Sequence, residues 1–468
     1  MIYITSMPAI ALWCLVSGVA KCSGEDCAVL VDSQLLQLPD TANLSPKTFS
    51  NVGRNARNVR VHDGPPDSWQ QVGSSIDGRT AGEMHGETVC LSDDGNRIAI
   101  GARNNHNDAG TYAGQVRVYD WTGSGWEQVG ADINGRSQSI FGSALSMSAD
   151  GNRVVGGGCK AGSGFAAVYD WSGTEWQQVG TFEGDNVGDY LGYSVSLSAD
   201  GARLALGSIF ADSDVASNCG KVSVYDWSGG AWQKVGEDIW GVAANERAGA
   251  SLSLSADGSR LAFGAPYYNA GALAWTGQVR VYDWTGSVWQ QVGSSIEGEG
   301  AQDYCGEVSL GGPSGTRLAV GAQSNDGAGP NAGHVRVYDW SGSAWQQVGE
   351  DIEGASAGDH FGHRMSFSAD ASRVAIGASY ANIHQGVVRV YDWSGSEWQQ
   401  LGVELSGGQA MDQFGKVSLS ANGIRLAIGA PRAASSGFVS IYDWTGESRG
   451  FSHSAAPRAK ALRAIEGH

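Results

Sequence analysis

The sequence predicts an all-β protein built as a closed ring of repeated sheets, and three observations carry that prediction. The tripeptide Tyr-Asp-Trp recurs at Tyr119, Tyr169, Tyr225, Tyr282, Tyr338, Tyr391 and Tyr442, at intervals of 50 to 57 residues. Each interval holds the same four short runs of alternating or β-branched and aromatic residues, divided by tight turns. Gly supplies 70 of 468 residues, about twice the usual share of roughly 7%, while 41% of the residues are apolar, too many for a disordered chain. A four-stranded antiparallel meander repeated seven times is the pattern of a seven-bladed β-propeller.

The elements follow in chain order. Residues 2–20 (IYITSMPAIALWCLVSGVA) are an apolar run ending in small residues, with Gly18 and Ala20 placed as the −3 and −1 positions of a cleavage site. Residues 1–20 therefore read as a secretory signal peptide, and no later run approaches the roughly 18 apolar residues of a membrane span. Losing Cys14 with the signal leaves six Cys, an even number that permits disulfides in an exported chain, with Cys22 and Cys27 the nearest pair. Residues 21–56 read as a polar lead-in without periodicity, and 57–444 as the propeller, beginning with a degenerate copy at 59–63. In a typical blade the strands A to D are 194–198 (SVSLS), 203–206 (RLAL), 222–227 (VSVYDW) and 232–236 (WQKVG). Asp-Gly turns, as at Asp94, Asp150, Asp200 and Asp257, join A to B, and Trp-Ser/Thr-Gly turns join C to D. The first D run, 69–73, precedes the first A run, while the last C run, 439–444, has no D after it. Residues 69–73 are thus expected to pair with the last blade and close the ring, as full closure removes exposed sheet edges. Residues 445–468, with Arg449, Arg458, Lys460 and Arg463, form a basic tail.

Phe141-Gly142, Phe361-Gly362 and Phe414-Gly415 open A strands, and Gly264-Ala265-Pro266 and Gly429-Ala430-Pro431 close B strands. On these residues the chain resembles the FG-GAP repeat of integrin α-subunit head propellers and the related repeats of secreted bacterial and algal proteins. Runs such as SADGSRLAFG (255–264) followed by VRVYDW also look like WD repeats, but the period here exceeds the roughly 40 to 45 residues of that family. The FG-GAP resemblance implies adhesion. It also raises calcium, which integrin-type blades bind between A and B through several carboxylates. The matching stretch, S-L-S-A-D-G-A-R-L at 196–204, offers one, so these loops read as plain turns.

Residues present in every copy are expected to build the blade. Arg97, Arg153, Arg203, Arg260, Arg317, Arg373 and Arg425 each open a B strand, and each is expected to meet the Asp of its own Tyr-Asp-Trp, as Arg203 with Asp226. The Trp pairs flanking the outer hairpins, such as Trp340 and Trp345, are expected to stack across blades.

Function must then lie where the copies differ. A formal charge of −18, from 48 acidic and 30 basic side chains, argues against nucleic acid, whose phosphates need a basic surface. The A–B and C–D turns share one face of the disc. The long and varied B–C loops and D–A crossings share the other, and binding residues concentrate on such loops. There, Trp240 in the crossing into blade 4, and Tyr267, Tyr268 and Trp275 in that blade's B–C loop, are the candidate ligand-binding residues. Exposed aromatic rings stack on sugars or anchor a protein partner. Acidic residues of the same loops, among them Asp189, Asp303, Asp359 and Asp412, read as solvated surface. His106, His360, His363 and His384 show no spacing to a nucleophile, and no Gly-rich phosphate loop leads from a strand into a helix. The sequence therefore predicts no enzyme, no catalytic residue, no metal site and no cofactor. The expected function is a secreted or cell-surface binding or adhesion propeller for an extracellular protein ligand. The alternative is a secreted carbohydrate-binding or carbohydrate-processing propeller.

Overall fold

The computed structural model describes residues 67–446 in full and, nearer the N-terminus, the backbone of Ala20–Ser23, Asp26–Val31 and Gln34–Gln37. Residues 1–19, the degenerate copy at 59–63 and the tail beyond 446 lie outside the described residues. The chain divides into two units, Met1–Gly64 and Pro65–His468. In the first, the three short strands just named form an antiparallel sheet in which Cys22 stands opposite Cys27. Apart from Ala20, these strands fall within the lead-in read as lacking periodicity; strands of four to six residues are too short to show a period.

The second unit is a ring of seven small antiparallel sheets, a seven-bladed β-propeller, as the repeats predict. Blade 1 has strands A to D at His85–Leu91, Arg97–Ala102, Gln115–Trp121 and Trp126–Gln128, and the other blades repeat this order. The A strands are innermost. The last blade takes its D strand from the start of the unit: Trp69–Gln71 pairs antiparallel with Phe438–Trp444, with Trp69 opposite Trp444 and Gln71 opposite Tyr442. The expected closure and its register are both present.

One feature of the blade is not foreseen by the four-run pattern. After the D strand, a Gly such as Gly73 (φ 72°) turns the chain out, and two residues then rejoin strand C, as Ile76–Asp77 does beside Val439 and Phe438. Two residues are too few to show alternation.

The repeated residues hold blade to blade. Cβ atoms on the B-strand glycines Gly101, Gly207 and Gly429 would lie 2.1, 2.3 and 2.1 Å from carbonyl oxygens of Gly142, Gly249 and Gly86 in the next blade, so only Gly permits that approach. Each B-strand Arg makes the expected bidentate pair within its blade; Arg203 Nε and Nη2 donate to Asp226 Oδ1 and Oδ2 at 2.6 and 2.7 Å. Its Nη1 reaches into the next blade, to the Gly258 carbonyl at 2.8 Å, and its guanidinium lies over Trp284 and Trp289, 5.5 Å from each ring. The Trp pairs themselves meet inside one hairpin, as Trp340 and Trp345 with centroids 5.2 Å apart and ring planes tilted by 47°. The expected ring-on-ring stacking across blades is replaced by this cation–π contact, because the Trp pair faces the neighbour's guanidinium. On the short-turn face the Asp of the A–B turn is engaged locally; Asp200 Oδ1 accepts from Ser198 Oγ at 2.6 Å and from the Ala202 N–H at 2.9 Å.

Four Cys, Cys90, Cys159, Cys219 and Cys305, are free thiols, so the disulfides their number permits are not formed among them. Burial pushes the Cys305 thiol up to about 12.

Blade 1 carries a buried ionic cluster. Glu83 (1% exposed) accepts from Arg117 (2%) at 2.9 and 3.0 Å, and His85 (0%) lies 3.4 Å from the same guanidinium. Burial raises the Glu83 carboxyl, but hydrogen bonds from Arg117, Thr80 and the Arg79 N–H outweigh it and hold it at about 2. Burial, then the Arg117 charge, pushes His85 down to about 3. Both groups bind protons more tightly in the unfolded chain, at 4.5 and 6.5. Their stabilisation is complete above those values and is lost as pH falls, for His85 between 6.5 and 3 and for Glu83 between 4.5 and 2. His85 occupies the place of Phe361 in blade 6, where Arg389 lies 5.3 Å over the Phe ring. His85→Phe is therefore expected to fold and to remove the loss of stability between pH 6.5 and 4.5. Urea midpoints at pH 7 and 5 check this; a variant as acid-sensitive as wild type refutes it.

Candidate functional site

The long-loop face rests on a repeated backbone device. In six of the seven crossings a buried carboxylate, Glu83, Asp189, Glu246, Asp303, Asp359 or Asp412, caps N–H groups of its own loop; Asp303 Oδ2 accepts from Glu299 and Gly300 at 3.0 and 2.8 Å. The Asp residues among them are 4 to 6% exposed, which corrects their reading as solvated surface. An unpaired N–H in a folded loop costs free energy, and the carboxylate removes that cost.

The residue after this carboxylate, or after Ser139 in the seventh crossing, has a left-handed backbone: Met84, Ile140, Tyr190, Arg247, Tyr304, His360 and Gln413, with φ from 51° to 59°. Such conformations cost about 1–3 kcal/mol for residues other than Gly. The strain is fixed by pairing with the B–C loop; the Tyr304 N–H donates to the carbonyl of Trp275, also left-handed (φ 56°), at 3.1 Å. The backbone is constant while the side chain changes from blade to blade.

Of the four predicted aromatic residues, the structure brings two together. Tyr267 and Trp275 meet Tyr304, which arrives from the following crossing: Trp275 and Tyr304 stack at 6.0 Å and 25°, and Tyr267 sits edge-on to both. Arg247 lies 3.9 Å over Tyr267 and 4.7 Å over Phe210. Trp275 is 43% exposed. Tyr268 instead packs against the core beneath blade 4, and Trp240 extends the blade 3 sheet opposite Lys221, whose ammonium lies 5.1 Å over its ring. Tyr304 and Arg247 were hidden from the sequence because no repeat marks which crossing folds against which loop.

At the centre of the same face the channel opens into a cavity of about 370 Å³. Its wall includes Arg103, Lys160, Arg364 and Lys416 against two carboxylates, Glu87 and Glu307, with Tyr193 at the rim. Arg364 donates to Glu307 at 2.7 Å, and Arg103 lies 3.6 Å from Glu87. Lys416 is 6% exposed, and among the described residues no hydrogen bond or ion pair reaches its ammonium. Burial, against the attraction of Glu87 and with the repulsion of Arg364 and Arg103, brings it down to about 8.

The histidines are not scattered. His360, His363 and His384 surround Tyr380 with centroids 5.0, 6.0 and 5.0 Å away, and His360 Nδ1 lies 3.3 Å from Ser324 Oγ; His106 stands apart, against Tyr112. Glu299, His334 and Asp351 offer ligand atoms within 4.8 Å of one another. That space is taken by Arg336, whose Nη2 lies 2.6 Å from both Glu299 and Asp351.

No family model matches the chain, and no curated protein matches it. Among solved structures it is similar to a protein from Bacteroides uniformis named as a candidate 6-phosphogluconolactonase, with 11% identity and a TM-score of 0.50 over 70% of this chain and 87% of that one. At that identity the likeness shows the fold alone. The expectation of no enzyme is corrected to this extent: a solved propeller of similar fold is named as an enzyme, so the architecture does not argue against catalysis.

Proposed function

We propose that this chain is an FG-GAP-like propeller, secreted or displayed at the cell surface, that binds an extracellular protein through its long-loop face. The distribution of exposed apolar side chains carries the reading. Among the described residues eleven large apolar side chains are exposed, and all but Val288 and Val403 lie in B–C loops, in crossings or at the channel mouth on that one face. Concentrated exposure of this kind marks interaction surfaces, whereas scattered single residues do not. The strained, capped backbone under varied side chains gives such a face a rigid base. The approach of B-strand Gly to the next blade's Phe-Gly gives the FG-GAP resemblance a physical reason, and the apolar run at 2–20 supports export.

The anchor of the face is Trp275. Trp275→Ala is expected to weaken the partner's binding at least tenfold, as truncation of a central aromatic anchor does, with an unchanged melting temperature. Affinity capture from extracellular protein, followed by titration of the captured partner with both forms, measures this. Equal affinity refutes it. The exposed Trp275 ring, stacked on the half-buried Tyr304, favours the second reading, a carbohydrate-binding or carbohydrate-processing propeller, because flat rings stack on sugars. Glycan-array binding that Trp275→Ala abolishes would put that reading first.

A further inference from the structure

The axial cavity is a second site, independent of the aromatic rim. Its cations outnumber its carboxylates by four to two (Arg103, Lys160, Arg364, Lys416 against Glu87, Glu307) inside a chain of net charge −18. Random placement on so acidic a protein would favour the opposite sign. The two carboxylates face Arg364 and Arg103, which leaves Lys416 as the surplus buried cation. A buried ammonium without a counter-ion is costly, and an anion entering the cavity removes that cost. Lys416, Arg364 and Glu307 stand at one register position, each opposite a B-strand Gly, where Thr88, Ala144, Ser194 and Ser251 stand in the other blades. At this position the charged residues stand on the adjacent blades 5, 6 and 7, while Glu87 and Arg103 join them from blade 1 and Lys160 from blade 2. A volume of about 370 Å³ suits a molecule of metabolite size. We infer that the cavity binds a small oxyanion, a carboxylate or phosphate group, with Lys416 as its primary charge partner and Arg364 and Arg103 as supporting donors.

The test uses the folded full chain with sulfate and succinate, whose charges are constant from pH 7 to 9, and with sodium chloride at matched ionic strength as the control. Calorimetry is expected to show saturable millimolar or tighter binding of at least one of the two, sulfate if the site fits a tetrahedral group and succinate if it fits a planar one. The affinity is expected to fall about tenfold between pH 7 and 9, with proton uptake near pH 8, because binding holds Lys416 charged. Lys416→Met is expected to remove both the binding and the proton uptake. The pH profile of wild type stands without any variant. Absence of saturable binding by either anion at pH 7, affinity that is flat with pH, or undiminished binding by a folded Lys416→Met protein overturns the proposal.

Discussion

A chain lacking residues 59–73 is expected to lose cooperative unfolding. The strand removed, Trp69–Gln71, is the outer strand of blade 7, and nothing else in the described chain occupies that place. Besides the paired strand, the deletion removes the Val72 N–H bond to the Ile441 carbonyl (2.7 Å), the Ser68 carbonyl that accepts from Thr445 (3.0 Å), and the Trp69 indole bond to the Leu401 carbonyl of blade 6 (3.3 Å). Trp69 and Trp444 are each 6% exposed and their tilted rings lie 5.5 Å apart, so Trp444 would be left facing water. Replacing one buried Trp by Ala costs about 3–5 kcal/mol, against a total stability of about 5–15 kcal/mol for a typical domain. Trp69→Ala should therefore destabilise measurably, and the deletion should leave a broad, non-cooperative melt. A sharp transition at the wild-type midpoint in the truncated chain would falsify this closure.

Arg425→Ala is expected to cost about 3–5 kcal/mol, the range for breaking one side of a buried ion pair. Seven Arg–Asp pairs have the same geometry but differ in burial. The side chains of Arg425 and Asp443 are 1% and 0% exposed, whereas those of Arg203 and Asp226 are 15% and 36% exposed. Removing Arg425 takes the bidentate partner from a carboxylate that water does not reach. It also removes the 2.9 Å bond from Arg425 Nη1 to the Gly95 carbonyl and the cation–π contacts with Trp121 and Trp126, all in blade 1. Removing Arg203 leaves Asp226 free to hydrate, so Arg203→Ala should cost about half as much or less. Urea unfolding of the two variants compares them directly. Equal costs would show that packing on the Trp pair, common to both, outweighs the buried charge.

How far the sequence carried depended on whether a residue was repeated. Tyr-Asp-Trp, the B-strand Arg and the B-strand Gly recur with the blades, so their pairing and the ring closure followed from counting strands. The two-residue return after strand D was missed because Ile76–Asp77 and its counterparts are too short to show alternation. The site was legible only in part, for a physical reason. Trp275 and Tyr267 share one loop, but Tyr304 and Arg247 come from crossings whose approach depends on left-handed turns at non-Gly residues, which local sequence rarely announces. Lys416, Arg364 and Arg103 converge from blades 7, 6 and 1 onto the axis, and each sits where the repeat varies. One signal was present: Lys416 directly follows the Phe-Gly that opens its A strand and Arg364 stands two places after its own, so reading those two columns would have exposed both.

The hydrogen bonds between Ser68 and Thr445 join residues 377 positions apart. During synthesis the strand at Trp69–Gln71 emerges early and has no partner until the chain has grown past Trp444. The ring is therefore completed only after translation of the whole repeat array, and every earlier nascent chain carries an unpaired edge. Contacts of such long range are slow to form and expose the chain to aggregation meanwhile. The first strand therefore stays unpaired for as long as the rest of the array takes to be made.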